Sequence, residues 1–191
     1  MRAARMERKT AETSIEAEVN LDGKGVYSVA TGIKFLDHML ATLSKHSLID
    51  INLRAEGDLR HHIIEDVGIV LGRALSEALG ERRGIKRFGY AITPMDEALA
   101  LAAVDLVKRP KPVIRLRTKL DAVEDIPVSE LAHFLESFAT SLEAAVHVRV
   151  LAGGDDHHKV EAAFKALALA LRQAIEQDPR RVGVPSTKGS M

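Results

Sequence analysis

Two short clusters of histidine and glutamate carry the clearest chemical signal in this chain. The clusters read His61-His62-x-x-Glu65 and His157-His158-x-x-Glu161, and each begins an apolar run with helical spacing. On a helix, a residue shares a face with the residues three and four positions before it, so each glutamate can lie beside a histidine. Imidazole and carboxylate groups are common ligands of divalent transition metals. Each cluster is therefore a candidate metal site.

The doubled histidines indicate two ions rather than one. Neighbouring residues of a helix point about 100° apart, so His61 and His62 are not expected to bind the same ion from one chain. Two further histidines, His38 and His133, lie upstream of the clusters, and the His38–His62 and His133–His158 intervals differ by only one residue. This set predicts three imidazoles and one carboxylate for each of two ions, with positions left open for water or substrate as in catalytic sites. The assignment of each histidine to an ion stays open at this point.

Composition excludes several classes of protein. The chain of 191 residues has 27 Lys and Arg against 27 Asp and Glu, so it lacks the basic character of a nucleic-acid-binding protein. It contains no cysteine, which leaves nitrogen and oxygen as the metal donors. No apolar run approaches the roughly 18 residues that a membrane span needs, and residues 1–10 do not resemble a secretory signal. We therefore expect a cytoplasmic protein without nucleic-acid or membrane partners, and its zero net charge favours an oligomer.

Hydrophobic periodicity predicts an α+β chain made of two similar halves. In the first half, strands are predicted over 13–19, 26–30 and 49–53, with Asp22-Gly23 joining the first two as a hairpin, and helices over 35–43 and 61–79. In the second half, strands are predicted over 98–106, 113–116 and 146–150, and helices over 131–142 and 160–175. The repeated order indicates an internal duplication of a strand-strand-helix-strand-helix unit. We set the halves at residues 1–91 and 92–178, followed by a tail at 179–191.

Charged and hydroxyl side chains outside the two clusters are candidates for binding an anion or moving a proton. Those that could hold a phosphate are Arg87, Arg109 and Lys165, together with Ser186 and Lys188 in the tail. Glycine-rich nucleotide-binding motifs are absent from the sequence, so side chains are expected to hold the phosphate. Carboxylates at predicted strand ends, Glu12 and the pair Asp96-Glu97, are candidates for general acid or base catalysis.

A series of ordered motifs resembles the imidazoleglycerol-phosphate dehydratase family over nearly the whole chain. They are Arg-Lys-Thr-x-Glu-Thr at 8–13, Phe-Leu-Asp-His-Met-Leu at 35–40, Gly-Asp-Leu at 57–59, His-His-Ile-Ile-Glu-Asp-Val-Gly-Ile at 61–69, Arg-Phe-Gly at 87–89, Pro-Met-Asp-Glu-Ala-Leu at 94–99, His-Phe-Leu-Glu-Ser-Phe at 133–138, Asp-His-His-Lys-Val-Glu-Ala-Ala-Phe-Lys at 156–165 and Ser-Thr-Lys-Gly at 186–189. So many motifs in one order make the resemblance specific. Three features depart from the commoner pattern of the family: Asp155, Lys159 and the short segment before His61.

The resemblance implies a fold, an assembly and a set of site residues. The fold has two half-domains, each a four-stranded sheet with two helices, and the helices pack between the two sheets. The assembly is a 24-subunit shell with di-manganese sites between neighbouring subunits. The implied metal ligands are His38, His61, His62, Glu65, His133, His157, His158 and Glu161. Glu12 matches the acid–base glutamate of the family, and Arg87, Arg109, Lys165, Ser186 and Lys188 match its phosphate-binding positions, with the tail closing on the phosphate.

The implied reaction is the dehydration of D-erythro-imidazole glycerol phosphate to imidazole acetol phosphate in histidine biosynthesis. The hydrogen that is lost lies on a carbinol carbon without an adjacent carbonyl, so its direct removal by a base would be slow. We expect two Mn²⁺ ions in each active site to activate the imidazole ring, with Glu12 moving the proton and the ligands His38, Glu65 and Glu161 acting in catalysis. The alternatives are a di-metal hydrolase of phosphorylated small molecules and a non-catalytic metal-binding shell, in which Glu12 would have no role.

Overall fold

The computed structural model describes residues 2–191, in which the chain forms four α-helices, two four-stranded sheets and a short two-stranded ribbon. The strands are β1 (Ala3–Lys9), β2 (Thr13–Asn20), β3 (Tyr27–Ala30), β4 (Asp50–Gly57), β5 (Phe88–Met95), β6 (Ala98–Asp105), β7 (Lys111–Arg115), β8 (Ala122–Val123), β9 (Ile126–Pro127) and β10 (Ala145–Ala152). The helices are α1 (Lys34–Ser47), α2 (Arg60–Leu79), α3 (Val128–Ser141) and α4 (Asp156–Ile175). These elements confirm the predicted α+β class.

The two halves of the chain have the same topology. The first sheet has the strand order β1-β2-β4-β3 and the second has the order β5-β6-β10-β7. In each sheet the last strand is parallel to its neighbour, and the other pairs are antiparallel. Equivalent helices also have equal lengths, with 14 residues in α1 and α3 and 20 residues in α2 and α4. This repetition agrees with an internal duplication.

The helices lie between the two sheets, as the family resemblance implies. Helices α1 and α2 pack on the first sheet, α3 and α4 pack on the second, and the two layers meet where α2 contacts α3 and α1 contacts α4. Gly72 permits the close approach of α2 to α3, because a Cβ atom on it would lie 2.5 Å from the carbonyl oxygen of Phe138. In both pairs, a helix of one half therefore packs against a helix of the other half.

The predicted hairpin between residues 13–19 and 26–30 is wrong. Both segments are strands, but β4 lies between them, antiparallel to β2 and parallel to β3. The cause is Asp50 at the start of β4, whose carboxylate accepts the backbone N–H groups of Lys24 and Val26, each at 2.8 Å. These hydrogen bonds hold the connection between β2 and β3 across the start of β4, so that β3 pairs with β4 rather than with β2. The hairpin in the first half joins β1 to β2 instead.

Strands β1 and β5 are missing from the predicted order of elements. Both are edge strands, and β1 is largely charged, so neither has the usual alternation of a half-buried strand. In β5 the pattern is inverted: Phe88, Tyr90 and Ile92 are exposed, whereas the small Gly89 and Ala91 face the helices. A Cβ atom on Gly89 would lie 1.9 Å from the carbonyl oxygen of Ala170, so the close packing of α4 explains the small inward residues.

The membership of β5 also bears on where the halves divide. Strand β5 begins at Phe88 and pairs with β6 in the second sheet. The proposed division at residue 91 therefore falls inside a strand, and sheet membership separates the halves between α2 and β5.

None of the helices in residues 2–191 combines the length and apolar character that a membrane span requires.

Candidate metal centre

One group of possible metal ligands joins α2 to α3, and we call it the α2–α3 cluster. It consists of His61 and Glu65 on α2 and His133 on α3, whose ligand atoms lie within 4.8 Å of one another. The Glu65 carboxylate is 3.9 Å from Nε2 of His61 and 3.5 Å from Nε2 of His133. The two imidazole rings stack with their centroids 5.5 Å apart. All three side chains are partly exposed, so the cluster is open to solvent or to a second molecule.

The second group, the α1–α4 cluster, is the counterpart from the other pair of helices. It consists of His38 on α1 and His157 and Glu161 on α4. Glu161 Oε2 lies 3.3 Å from Nε2 of each histidine, and its Oε1 lies 2.8 Å from Nζ of Lys165. Burial raises the pKa of the Glu161 carboxyl, but hydrogen bonds from Lys165 and His38 outweigh it and leave that pKa below its usual value. Glu161 is therefore held as an anion.

The donor sets of the two clusters fit a divalent transition metal. Each offers two imidazole nitrogens and carboxylate oxygen, which suit manganese, iron, cobalt, nickel or zinc. In both clusters the atoms that converge on the glutamate are the Nε2 atoms of the histidines. Two imidazoles and one carboxylate also leave coordination positions free on an octahedral ion, as a catalytic site requires.

The remaining predicted ligands, His62 and His158, point away from the clusters of their own chain. Nδ1 of His62 lies 2.8 Å from Asp58 and 3.8 Å from the carboxylate of Glu12. Nδ1 of His158 lies 2.7 Å from Glu97. This is the divergence expected of adjacent histidines on a helix. In each case the hydrogen bond to the neighbouring carboxylate is the largest cause that raises the pKa of the imidazole.

Three carboxylates that hold histidine rings were not identified as such from the sequence. They are Asp58 beside His62, Glu97 beside His158, and Glu124, whose Oε1 lies 2.9 Å from Nδ1 of His157. Glu97 is already a candidate for acid–base catalysis because it lies at the start of a predicted strand, whereas Asp58 carries a signal only as part of a family motif. Glu124 has no sequence signal, because a loop far from His157 in the chain brings it into contact.

Glu97 is the most strongly held of these carboxylates. Its Oε1 accepts the backbone N–H groups of Gly154 at 2.9 Å and Asp155 at 2.8 Å, and its Oε2 faces His158. The hydrogen bond from the Asp155 backbone, followed by that from His158, lowers the pKa of the Glu97 carboxyl to about 2. Glu97 is therefore an anion throughout the neutral range.

Most of the predicted phosphate-binding residues line one pocket of about 260 Å³. Its lining residues include Arg87, Arg109, Ser186 and Lys188. The guanidinium of Arg87 donates to both carboxylate oxygens of Asp105, at 2.7 and 3.0 Å, and to the carbonyl oxygen of Pro185 in the tail. Lys165 is not part of this pocket, because its ammonium group pairs with Glu161 in the α1–α4 cluster. The structure thus separates Lys165 from the other four residues.

The pocket and the α1–α4 cluster lie at opposite ends of α4. The backbone N–H of Arg87 donates to the carbonyl oxygen of Ala174 near the end of α4, whereas His157 and His158 lie in its first turn. At about 1.5 Å of rise per residue, His158 and Ala174 are about 24 Å apart along the helix. One chain therefore holds the pocket and the α1–α4 cluster too far apart for a small substrate to bridge.

The fold and these sites define a class: a duplicated α+β protein with two candidate transition-metal clusters and a separate cationic pocket. The sequence profile of the family described as imidazoleglycerol-phosphate dehydratase matches residues 31–171. The chain is 49% identical over 201 residues to the imidazoleglycerol-phosphate dehydratase of Rhodococcus jostii (strain RHA1), with 100% of this chain and 98% of that protein covered. It is 48% identical over 192 residues to that of Methanocella arvoryzae, with 99% of both chains covered. The chain belongs to the imidazoleglycerol-phosphate dehydratase family.

Solved structures agree with this assignment. The structure of the enzyme from Pyrococcus furiosus in complex with (S)-C348 superposes with a TM-score of 0.85 at 41% identity, covering 97% of this chain and 100% of that chain. The enzyme from Staphylococcus aureus gives a TM-score of 0.84 at 30% identity, with coverages of 92% and 99%. The chain is therefore a hydro-lyase that carries out a dehydration step of histidine biosynthesis.

Proposed function

We propose that the chain catalyses the manganese-dependent dehydration of D-erythro-imidazole glycerol phosphate to imidazole acetol phosphate. The observation that carries this proposal is the pair of clusters in which two imidazoles and one carboxylate lie within 4.8 Å of one another. Their donor set fits Mn²⁺ among the divalent transition metals, and their partial exposure leaves room for a substrate imidazole. The family assignment supports the phosphorylated imidazole substrate.

Each active site is proposed to contain two ions and ligands from more than one copy of the chain. His61, Glu65 and His133 would hold one ion, and His38, His157 and Glu161 would hold another. The outward His62 and His158 would complete the sites of neighbouring copies, which accounts for their direction. When bound, the ions would supply positive charge that stabilises a deprotonated imidazole ring during the reaction.

The residues of this chain supply the remaining chemistry. The hydroxyl next to the imidazole ring leaves as water, the hydrogen on the neighbouring carbinol carbon leaves as a proton, and the resulting enol becomes the ketone. Glu12 is our candidate for moving that proton, because its exposed carboxylate lies next to His62. Arg87, Arg109, Ser186 and Lys188 would bind the phosphate and fix the reacting carbon. Lys165 contacts Glu161 of the α1–α4 cluster, so it would act on the side of the substrate that faces the metal ions.

The proposed assembly is a shell of 24 copies. Support comes from the separation of about 24 Å between the cationic pocket and the first turn of α4, since a complete site then needs the pocket of one copy beside the clusters of another. The proposed cellular location is the cytoplasm. The chain is proposed to consist of two similar halves, divided between α2 and β5, and a tail at 179–191 that closes on the substrate phosphate. The position of Ser186 and Lys188 in the pocket supports this role of the tail.

Turnover by the purified chain tests this function. The protein is stripped of metal with a chelator, returned to Mn²⁺, and supplied with imidazole glycerol phosphate. We expect imidazole acetol phosphate to form only after Mn²⁺ is restored. Release of inorganic phosphate instead would indicate the di-metal hydrolase, and metal binding without any turnover would indicate the non-catalytic shell.

A further inference from the structure

Two glutamates occupy equivalent places in the duplicated fold. Glu12 directly precedes β2 and Glu97 directly precedes β6, and these strands take the same position in their sheets. Each glutamate lies beside the outward histidine of its own half. The distance from the carboxylate to Nδ1 is 3.8 Å for Glu12 and His62, and 2.7 Å for Glu97 and His158.

The two carboxylates have different surroundings. Glu97 accepts three hydrogen bonds, from the backbone of Gly154 and Asp155 through Oε1 and from His158 through Oε2. Among residues 2–191, no hydrogen bond involves the carboxylate of Glu12. The ring of His62 is hydrogen-bonded to Asp58 instead. The duplication has therefore left one glutamate free and the other fixed against a predicted metal ligand.

We propose that Glu97 is a positioning residue that holds His158 with its proton on Nδ1, so that the Nε2 lone pair is available to a metal ion. The proposal rests on the proposed role of His158 as a metal ligand. A carboxylate on one ring nitrogen selects the tautomer and orients the ring of a metal-binding histidine. Nε2 of His158, the nitrogen that would bind the ion, lies 3.5 Å from the exposed carboxylate of Asp96.

The connection to the backbone explains how a side chain on another strand can fix this ring. Gly154 and Asp155 immediately precede α4, and the Asp155 side chain accepts the backbone N–H groups of His157 and His158. Glu97 thus ties the β5–β6 turn to the segment that begins α4, and the same carboxylate orients the side chain in the first turn of that helix. The carboxylate of Glu97 therefore positions both the backbone before α4 and the imidazole of His158.

The substitution Glu97→Gln separates these two roles. The amide oxygen of glutamine can still accept from Gly154 and Asp155, but its NH₂ group then faces Nδ1 of His158. Nδ1 must become the acceptor, which moves the proton to Nε2 and removes the lone pair that a metal needs. We expect Mn²⁺ binding at one class of sites to weaken about 10- to 100-fold, the usual effect of losing such a partner. The urea midpoint of the metal-free protein is expected to stay unchanged.

Binding is measured by Mn²⁺ titration of the full-length protein with electron paramagnetic resonance, which reports free Mn²⁺. Glu56→Gln, on the exposed face of β4, is the matched control and should bind like the wild type. His158→Ala should weaken the same class of sites, and the double variant Glu97→Gln/His158→Ala should bind no more weakly than His158→Ala alone.

The outcomes separate this proposal from the metal site on which it rests. If His158→Ala leaves Mn²⁺ affinity unchanged, His158 is not a ligand and both proposals fail at this residue. If His158→Ala weakens binding while Glu97→Gln stays within twofold of the wild type, only the positioning role is overturned. A Glu97→Gln protein that fails to fold also contradicts the proposal, because glutamine retains the acceptor for both backbone groups.

Discussion

Glu12 combines proximity to a predicted metal ligand with a carboxylate that is exposed and, within residues 2–191, not hydrogen-bonded. Its side chain is 60% exposed, and its nearest histidine nitrogen, Nδ1 of His62, is 3.8 Å away, beyond a normal hydrogen bond. Two other carboxylates near the predicted ligands are held by their contacts: Glu97 by three hydrogen bonds and Glu161 by His38 and Lys165. Unlike these two, Glu12 is free to exchange a proton with the substrate, and it matches the acid–base position of the family.

Replacing Glu12 with glutamine should lower kcat by about 10² to 10⁴, because an amide of the same shape cannot accept the proton. KM and the manganese content should change little, since Glu12 is not a metal ligand in this account. Steady-state kinetics with metal analysis of the same preparation checks both statements. A fall in kcat of less than tenfold would remove Glu12 from the proton transfer.

His133→Ala should reduce the manganese content from two ions to one per chain, because it removes one ligand from the α2–α3 cluster and leaves the α1–α4 cluster complete. Metal analysis after dialysis against limiting Mn²⁺ makes the measurement. His147→Ala is the matched control: this histidine is exposed on β10 and belongs to neither cluster. Loss of both ions from His133→Ala would contradict two separately assembled clusters.

At the residue scale, the sequence predicts the types of ligands well and their partners poorly. Spacing within a helix places Glu65 near His61 and Glu161 near His157, and the structure agrees. The same spacing predicts that His62 and His158 diverge from them. The carboxylates on the other ring nitrogens could not be foreseen, because Glu97 and Glu124 reach their histidines through the tertiary packing of strand ends and loops.

At the scale of elements, the α2–α3 cluster depends on how closely the two helices approach. Gly68 and Gly72 face α3, and a Cβ atom on either would meet backbone atoms of α3 within 3 Å. Backbone cannot move aside as a side chain can. The approach of α2 to α3, which brings His61 near His133, therefore depends on glycines about two and three turns along α2 from His61.

Gly72→Ala should destabilise the metal-free protein by about 1–3 kcal/mol, as overpacking of a filled core usually does. It should also weaken Mn²⁺ binding, because separating the helices separates the ligands. Urea unfolding and Mn²⁺ titration measure the two effects. Arg73→Ala, on the exposed side of the same helix, should change stability by less than about 0.5 kcal/mol. Equal behaviour of the two variants would show that the close contact does not control the cluster.

A buried arginine, Arg82, holds the C-terminal end of α3. Arg82 is fully buried and donates to the carbonyl oxygens of Leu142 and Glu143 and to Ser76 Oγ. Arg82→Met retains much of the apolar volume but leaves these acceptors without a donor, and we expect a loss of about 2–4 kcal/mol in urea unfolding. The exposed neighbour provides the comparison, since Arg83→Met should be nearly neutral. A similar small effect for Arg82→Met would mean that water satisfies the carbonyl groups.

The sequence predicts the helices and central strands because their apolar periodicity reflects burial on one face. It does not predict β1 and β5, whose patterns are charged or inverted. It also misassigns the partner of β3, because the hydrogen bonds from Asp50 to the preceding connection decide that pairing. Local pattern thus identifies most strands, whereas their order in the sheet depends on contacts between distant residues.

At the scale of the whole molecule, the separation of the cationic pocket from the start of α4 argues for sites shared between copies. The same conclusion follows from His62 and His158, which face away from their own clusters. The zero net charge of the sequence favours an oligomer, but the number of copies came from the family resemblance alone. The histidine clusters themselves carry no information on how many copies assemble.

Removal of the metal should therefore weaken the assembly. If ions join histidines of one copy to clusters of another, stripping Mn²⁺ should shift the protein to smaller species, and adding Mn²⁺ should restore the large one. Sedimentation velocity before and after chelation measures this shift. The single variants His62→Ala and His158→Ala should resemble the stripped wild type even with Mn²⁺ present. An assembly unaffected by chelation would contradict metal bridges between copies.

The most direct test of the shared metal sites is an anomalous scattering map from crystals of the manganese-loaded protein. We expect two manganese peaks per chain, one at the α2–α3 cluster and one at the α1–α4 cluster, each with an additional histidine ligand from a neighbouring copy. Clusters that hold no manganese, or ions whose protein ligands all come from one chain, would contradict it.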